Sequence, residues 1–225
     1  MTATTTASDI PSVVNALYFG TKALHAEAER SGIIRDLLRG DASRAGYILL
    51  QRNLLPAYQA LERGLERHSH EPALTALAAY RLNRAPALAA DLDALCDGDF
   101  TAVPLLPAGE AYAQRIAACA EGDGARLIAH AYTRYLGDLS GGQILKRLFA
   151  KSPGLQPSEL SFYDFPDYPD LDVLKKDYRN AIDHAGTLAS DPQRIVDEGS
   201  VAFTLNIELS CAVKQAEPAL PLTGA

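Results

Sequence analysis

The chain has 225 residues, a formal net charge of −7 and a hydrophobic fraction of 48%. That length and apolar content suffice for one domain with a substantial core, and they argue against a disordered chain. The acidic balance, without a block of Lys or Arg, argues against nucleic-acid binding.

Apolar residues recur with helical spacing along almost the whole chain, and no stretch shows the alternation of a strand. The sequence therefore predicts an all-α fold, a single domain over residues 1–225 with a core of about 12–215 and short flexible tails. The predicted helices cover, approximately, residues 11–30, 32–39, 43–65, 72–82, 86–96, 108–120, 123–150, 171–185 and 192–216.

Local signals set the ends of several predicted helices. Ser31 can cap the second helix, and Gly40 follows its last turn. Pro56 predicts a kink in the third helix, and Gly186 predicts the end of the helix that begins near residue 171. Residues 152–170 contain four prolines and predict a long ordered loop packed down by its aromatic side chains.

The N-terminal segment lacks the basic and apolar regions of a signal peptide, and no apolar run approaches the ~20 residues of a membrane span. Two prolines interrupt the short C-terminal segment QAEPALPLTGA. The three cysteines are far apart and form no CxxC motif, as is typical of a reducing cytosol. We therefore expect a cytoplasmic protein that does not enter a membrane.

The segment TKALHAEAE places His25 on the apolar stripe of the first helix, beside Thr21, Leu24 and Ala28. Glu29 follows one turn later on the same face, so its carboxylate can accept a proton from one ring nitrogen. The other nitrogen is then available to a metal. Taken alone, the segment favours a core histidine that is satisfied by a helix neighbour, because short motifs often match by chance.

The remaining histidines and the methionine are poorer metal ligands. His68 and His70 lie at a polar helix end and are expected to be solvated. His184 precedes Gly186 near a helix end. The single methionine is Met1, which excludes a methionine axial ligand.

The segment from His130 to Lys146 contains three glycines within six positions of an otherwise helical stretch. Each glycine costs about 1 kcal/mol relative to alanine, which often marks a place where a large group approaches the backbone. Gly137 and Gly141 share a face, so a planar ligand such as a porphyrin could lie against them. Arg134 and Asp138 place a charged pair at the edge of this patch.

Two structural explanations of the glycines remain open at this point. Ser140 and Gln143 have the spacing of a capping box, so the glycines could mark a break between two helices. Close packing of two helices on small residues is the other explanation.

The segment HAYTRYLGDLSGGQILKRL closely resembles the distal-helix motif of the haem oxygenases, and TKALHAEAE resembles their proximal-helix motif. The late stretch FTLNIEL and the spacing between the segments also fit, so that the resemblance covers about residues 12–215. The membrane-anchored members carry an apolar C-terminal tail, and this chain is similar instead to the soluble, bacterial-type members.

The resemblance implies a role for each matching residue. His25 would be the proximal ligand of the haem iron, with Glu29 as the partner of its ring. Asp138 would hold a water on the distal side of the haem. The distal helix would pass close over the haem at Gly137, Gly141 and Gly142. The side chains that would extend the water network are Arg134, Tyr58 and Asn206.

Further matches concern the walls and the mouth of the pocket. Phe203 would help to wall the haem pocket. The haem propionates need polar and cationic partners, because burying unpaired carboxylates is costly. Tyr18 stands where the family often has a basic residue, which leaves the cleavage isomer open with α as the default. The matching propionate contacts are Lys22, Tyr132, Lys175 and Arg179.

The implied activity is oxidative opening of haem b at a meso carbon, with O2 and reducing equivalents, to biliverdin, CO and ferrous iron. No flavin or nicotinamide motif is visible, so a ferredoxin or an NAD(P)H-dependent reductase would supply electrons to a monomer. The alternatives are a haem-binding protein without turnover, a helical scaffold without a cofactor, and an enzyme with a cysteine nucleophile. The cysteines have no neighbouring histidine in the sequence: Cys96, Cys119 and Cys211.

Overall fold

The structure, a computed structural model, describes residues 12–149 and 155–217. Within these ranges the regular elements are all helical, which confirms the predicted fold class. The ten α-helices are α1 (Val13–Ala28), α2 (Gly32–Arg39), α3 (Arg44–Arg67), α4 (Pro72–Ala78), α5 (Ala85–Leu95), α6 (Pro107–Cys119), α7 (Leu127–Ala131), α8 (Gln143–Phe149), α9 (Leu171–Leu188) and α10 (Pro192–Ala216).

Most helix ends follow from capping chemistry. The Ser43 hydroxyl accepts a hydrogen bond from the Gly46 N–H at the start of α3, and Asp191 accepts one from the Gln193 N–H at the start of α10. Gly40 closes α2 with a left-handed φ of 77°. Ser31 precedes α2, but its hydroxyl donates back to the Glu27 carbonyl, so the predicted cap is wrong.

The prediction that Gly186 ends a helix is wrong, because α9 continues to Leu188. A Cβ on Gly186 would lie 2.3 Å from Cγ2 of Val13. The absence of a side chain there therefore lets α1 approach the backbone of α9, which is a packing requirement and not a stop signal. Pro56 lies inside α3, which runs through it.

Helix α10 packs against α1, α2, α6 and α7, and thereby joins the two segments that the sequence singles out. Helix α3 packs against α5 and α6, and large tyrosines fill its buried face, including Tyr47 and Tyr58. Over residues 12–149 and 155–217, no helix has the length and apolar character needed to cross a membrane.

The predicted proline-rich loop is ordered where the structure describes it. Two short 3-10 turns, Pro157–Glu159 and Ser161–Tyr163, interrupt it. The buried Asp91 carboxylate accepts hydrogen bonds from the N–H groups of Ser161 and Phe162 at 2.9 and 2.8 Å. The predicted helix start at Asp9–Pro11 and the tail beyond Glu217 lie outside the described residues.

One histidine prediction is wrong and one is confirmed. The structure buries His68, whose Nε2 lies 2.7 Å from the Ala120 carbonyl oxygen. The α6–α7 connection folds back over the end of α3, and this long-range contact covers a position that looked solvated. His70 is exposed, as predicted.

Candidate functional site

The glycine-rich segment is one continuous helical path and not a pair of helices. After α7, wide π-helical turns at Tyr132–Leu136 and Asp138–Gly142 lead directly into α8. The Gln143 amide donates to the carbonyl oxygens of Tyr163 and Asp138, so it does not complete a capping box. Such wide turns often occur at functional sites. We refer to residues 132–142 as the distal segment.

The structure separates the three glycines of the distal segment into two environments. Gly137 and Gly141 are exposed, and a Cβ built on either would meet no atom within 4 Å in the part of the chain that the structure describes. Gly142 is buried, and its Cβ would lie 3.3 Å from the Tyr163 ring. Gly137 and Gly141 therefore form the open patch of backbone, while Gly142 serves the packing beneath it.

Asp138 lies in this segment with its side chain buried. The Tyr58 hydroxyl contacts both carboxylate oxygens, at 2.9 and 2.7 Å. Burial raises the pKa of Asp138 to about 6, although the Arg134 charge and the Tyr58 hydrogen bond act in the opposite direction. Asp138 can therefore change its protonation state close to neutral pH, as a group that handles protons needs to do.

Arg134 lies one turn before Asp138, with its guanidinium carbon 5.7 Å from the centre of the Tyr58 ring. Its Nε is buried without a hydrogen-bond partner among the described residues. A buried donor of this kind usually has an ordered water or a ligand as its partner. The position of Arg134 beside Asp138 and Tyr58 is thus suited to hold a polar molecule.

The raised pKa of Asp138 predicts how Asp138→Asn changes stability with pH. The folded-state pKa of about 6 exceeds the ordinary value of 3.8, so the ionised carboxylate destabilises the fold above pH 6. This cost is relieved as the pH falls through 6. We expect the stability of the variant relative to the parent to decrease by about 1–2 kcal/mol between pH 8 and pH 5. Urea unfolding at matched pH values measures it, and a constant difference would contradict the raised pKa.

His25 extends from α1, and its Nδ1 lies 3.6 Å from Oε1 of Glu29, as the spacing predicted. The prediction that His25 faces the core is wrong, because its side chain is 61% exposed. Helix α10 covers α1 near Leu17 and Thr21, which face the backbone of Gly199. Helix α10 contacts His25 through Phe203, and the centres of the two rings lie 5.7 Å apart.

Phe203 and Asn206 both belong to α10. Phe203 is buried and forms a wall beside His25, whereas Asn206, almost one turn later, is half-buried. Because α10 contacts α1, α7 and the first turn of the distal segment, these two residues lie on the helix that links the predicted proximal and distal elements.

The predicted propionate contacts come from three elements: α1, α9 and the distal segment. Lys22 is exposed on α1, and Lys175 and Arg179 belong to α9, where Lys175 pairs with Asp172 at 3.2 Å. Burial raises the pKa of Tyr132, the Arg179 charge lowers it, and Tyr18 raises it. Tyr132, Arg179 and Tyr18 are therefore close enough to interact electrostatically.

Sequence reasoning missed a buried hydrogen-bonded pair behind the distal segment. His130 Nε2 lies 3.1 Å from Oε1 of Glu198, and Arg115 donates to both oxygens of the same carboxylate. Burial opposes the ionisation of Glu198, but the hydrogen bonds from His130 and Arg115 prevail and lower its pKa to about 2. Glu198 is 68 residues from His130, so no local pattern in the sequence could have revealed this pair.

Comparison with known proteins gives consistent matches over most of the chain. The family model described as Heme oxygenase matches residues 12–212. Heme oxygenase 1 of Nostoc sp. is 37% identical over 199 residues, which cover 88% of this chain and 84% of the relative. Two solved structures are each 33% identical to this chain. The crystal structure of heme oxygenase-1 from the cyanobacterium Synechocystis in complex with heme has a TM-score of 0.85, with 92% of this chain and 95% of that chain covered. The structure of heme oxygenase from Leptospira interrogans has a TM-score of 0.82, with 89% of this chain and 98% of that chain covered.

Proposed function

Because this chain belongs to the haem oxygenase family, we propose that it holds haem between His25 and the open backbone of Gly137 and Gly141. The protein is a haem-degrading oxygenase, and biliverdin is the product of this family's reaction. The relative from Synechocystis was crystallised in complex with heme. The residue-level assignment is our proposal, and the glycine patch is the observation that carries it.

The described residues fit a flat macrocycle with two carboxylates. Gly137 and Gly141 leave a side-chain-free surface on the distal segment. On the other side, His25 has its Nδ1 beside Glu29, so Nε2 is the nitrogen available to the iron. The propionates would be bound by Lys22, Tyr132 and Arg179. Lys175 would exchange its present contact with Asp172 for a contact with a propionate. Phe203 would contact the ring from the side of His25.

Asp138 would supply the proton chemistry of the distal side. Its carboxylate is fixed by Tyr58, lies next to the exposed Gly137, and can titrate close to neutral pH. We propose that it holds a water over the haem, which orients that water as a proton donor to bound O2. Arg134 and Asn206 would extend this water chain, and the unpartnered Nε of Arg134 supports its part in it.

The finer features of the reaction belong to the same proposal. The substrate is haem b, O2 is the oxidant, and the ring opens at the α meso carbon with release of CO and ferrous iron. Electrons come from a ferredoxin or an NAD(P)H-dependent reductase. The chain acts as one domain and one monomer in the cytoplasm.

Gly141→Ala distinguishes a ligand surface from a structural glycine. The new methyl group would meet no atom of residues 12–149 and 155–217 within 4 Å, so we expect the free energy of unfolding to stay equal or rise by up to about 1 kcal/mol. The same methyl group would stand where haem approaches the backbone, and we expect haem affinity to fall at least about tenfold, which corresponds to about 1.4 kcal/mol. Haem titration and urea unfolding measure the two effects.

Gly20→Ala is the matched control for this prediction. Gly20 is exposed on α1, and its Cβ would make an ordinary contact of 3.7 Å with Val196. This variant should gain helix propensity with no change in haem affinity. Unchanged haem affinity in Gly141→Ala would remove the distal segment from the haem site.

Aerobic turnover of the stoichiometric haem complex tests the function as a whole. With a chemical reductant or a reductase present, we expect loss of the haem Soret band, release of CO and formation of biliverdin, with the isomer identified by chromatography. A Soret band that persists without bile pigment would mean a haem-binding protein that does not turn over its ligand.

A further inference from the structure

Three side chains with metal-binding atoms meet in the core behind the distal segment. Cys119 is the last residue of α6, His130 lies in α7 and Glu198 lies in α10. All three are at most 3% exposed. The Cys119 Sγ lies 3.6 Å from His130 Nε2, which in turn lies 3.1 Å from Glu198 Oε1. The three ligand atoms all lie within 4.8 Å of one another.

The sulfur–nitrogen and nitrogen–oxygen separations are close to those of neighbouring ligands around one zinc ion. With Zn–S of about 2.3 Å and Zn–N or Zn–O of about 2.0 Å, tetrahedral geometry places the ligand atoms about 3.3–3.6 Å apart. A thiolate, an imidazole nitrogen and a carboxylate oxygen are also the donor types that zinc accepts. No local motif predicts this arrangement, because the histidine nearest in sequence follows Cys119 by eleven residues.

We propose that Cys119, His130 and Glu198 bind one divalent cation of the zinc class, at a site separate from the haem. Two of the three groups are already in the form that a metal needs. Glu198 is ionised, held by Arg115, and burial keeps His130 neutral by lowering its pKa. The site does not depend on the haem assignment, since none of the three residues belongs to the proposed haem contacts.

The Cys119 thiol must lose its proton when the cation binds. Burial and the neighbouring Glu198 carboxylate raise the pKa of this thiol to about 12, so it is protonated in the metal-free protein. Binding therefore forms a sulfur–metal bond, breaks the S–H bond and releases one proton to the solvent. The cation takes the place of the direct hydrogen bond between His130 and Glu198. Its positive charge also compensates for the proton that the Cys119 thiol loses.

Two arginines, Arg115 and Arg126, contact the Glu198 carboxylate. They do not separate it from the other two ligand atoms. Arg115 donates to Oε1 and Oε2 at 2.9 and 2.5 Å, and Arg126 lies 3.8 Å from Oε2. The Arg115 and Arg126 side chains are 37% and 23% exposed, so water screens part of their charge.

The second nitrogen of His130 provides a further observation. His130 Nδ1 and the Tyr112 hydroxyl are buried without hydrogen-bond partners within residues 12–149 and 155–217, and the two rings lie 6.0 Å apart. When a metal occupies Nε2, the ring proton resides on Nδ1, and a water between the two groups would accept it. Metal-ligating histidines commonly have such a partner on the other nitrogen.

Titration of the haem-free full-length protein with Co²⁺ tests the proposal, because cobalt replaces zinc and reports sulfur ligation by its absorption. After treatment with a chelator and a reductant, we expect one Co²⁺ per chain with a thiolate-to-cobalt charge-transfer band, and displacement of that band by Zn²⁺. We expect Cys119→Val to lose the band. Cys96→Ala with Cys211→Ala is the matched control, since both cysteines lie outside the cluster, and this variant should keep the band.

X-ray absorption spectroscopy at the zinc edge provides a second test that requires no variant. The zinc-loaded parent protein should show one sulfur neighbour and otherwise nitrogen or oxygen neighbours. Absence of a cobalt band at millimolar Co²⁺, a band that survives in Cys119→Val, or a zinc spectrum without sulfur would each overturn the proposal. Those outcomes would mean that His130 and Glu198 form a buried hydrogen-bonded pair beside a passive Cys119 thiol.

Discussion

His25→Ala is expected to remove the nitrogen ligand of the haem iron and to lower turnover by more than about 100-fold. Loss of an outer partner of a ligating histidine typically costs 10–100-fold, and loss of the ligand itself should cost more. The fold should tolerate this change, because the His25 side chain is 61% exposed. We expect the free energy of unfolding of the haem-free protein to change by no more than about 0.5 kcal/mol, as for an ordinary surface substitution.

The measurement is the electron paramagnetic resonance and Raman spectrum of the haem complex together with single-turnover rates. Added imidazole should enter the space left by the side chain and restore a nitrogen ligand. His184→Ala is the matched control, since His184 is another exposed histidine on a helix and lies on α9. A parent-like haem spectrum in His25→Ala would assign the iron to a different residue.

The helix ends could be predicted from the sequence because capping is a local interaction. Ser43, Asp191 and Gly40 each act on backbone groups within a few residues, and Gly40 ends α2 as predicted. Gly186 resembles such a signal, but its lack of a side chain makes room for Val13, which lies on another helix. A glycine that ends a helix and one that admits a neighbouring helix look the same in a sequence.

The exposure of the site residues could not be predicted by the same reasoning. Helical spacing identifies which residues share a face, and it grouped His25 with Thr21 correctly. Whether a face is covered depends on the length and position of α10, which buries Thr21 and leaves His25 exposed. Likewise, the contact of Gly142 with Tyr163 depends on how the segment around Tyr163 packs, whereas helical spacing alone predicted that Gly137 and Gly141 share one face.

Asp138→Ala is expected to retain haem and its histidine ligand but to lose ring opening. The variant removes the carboxylate and leaves the Gly137–Gly141 patch and His25 untouched, so haem affinity should stay within about threefold of the parent. A positioned proton-transfer group typically contributes 10²–10⁴-fold, and we expect the rate of bile-pigment formation to fall within about that range. Reductant and O2 should still be consumed, with little biliverdin formed.

The pH dependence separates this role of Asp138 from a purely structural one. The ionised carboxylate accepts hydrogen bonds from water, and protonation converts one oxygen into a donor. With a pKa of about 6, the single-turnover rate of the parent should therefore fall as the pH is lowered through 6, and Asp138→Ala should lack that inflection. Tyr58→Phe keeps the buried ring but removes the hydroxyl that lowers the pKa of Asp138, so its inflection should move to higher pH. Normal biliverdin yield in Asp138→Ala, or the same inflection in all three proteins, would assign proton delivery to another group.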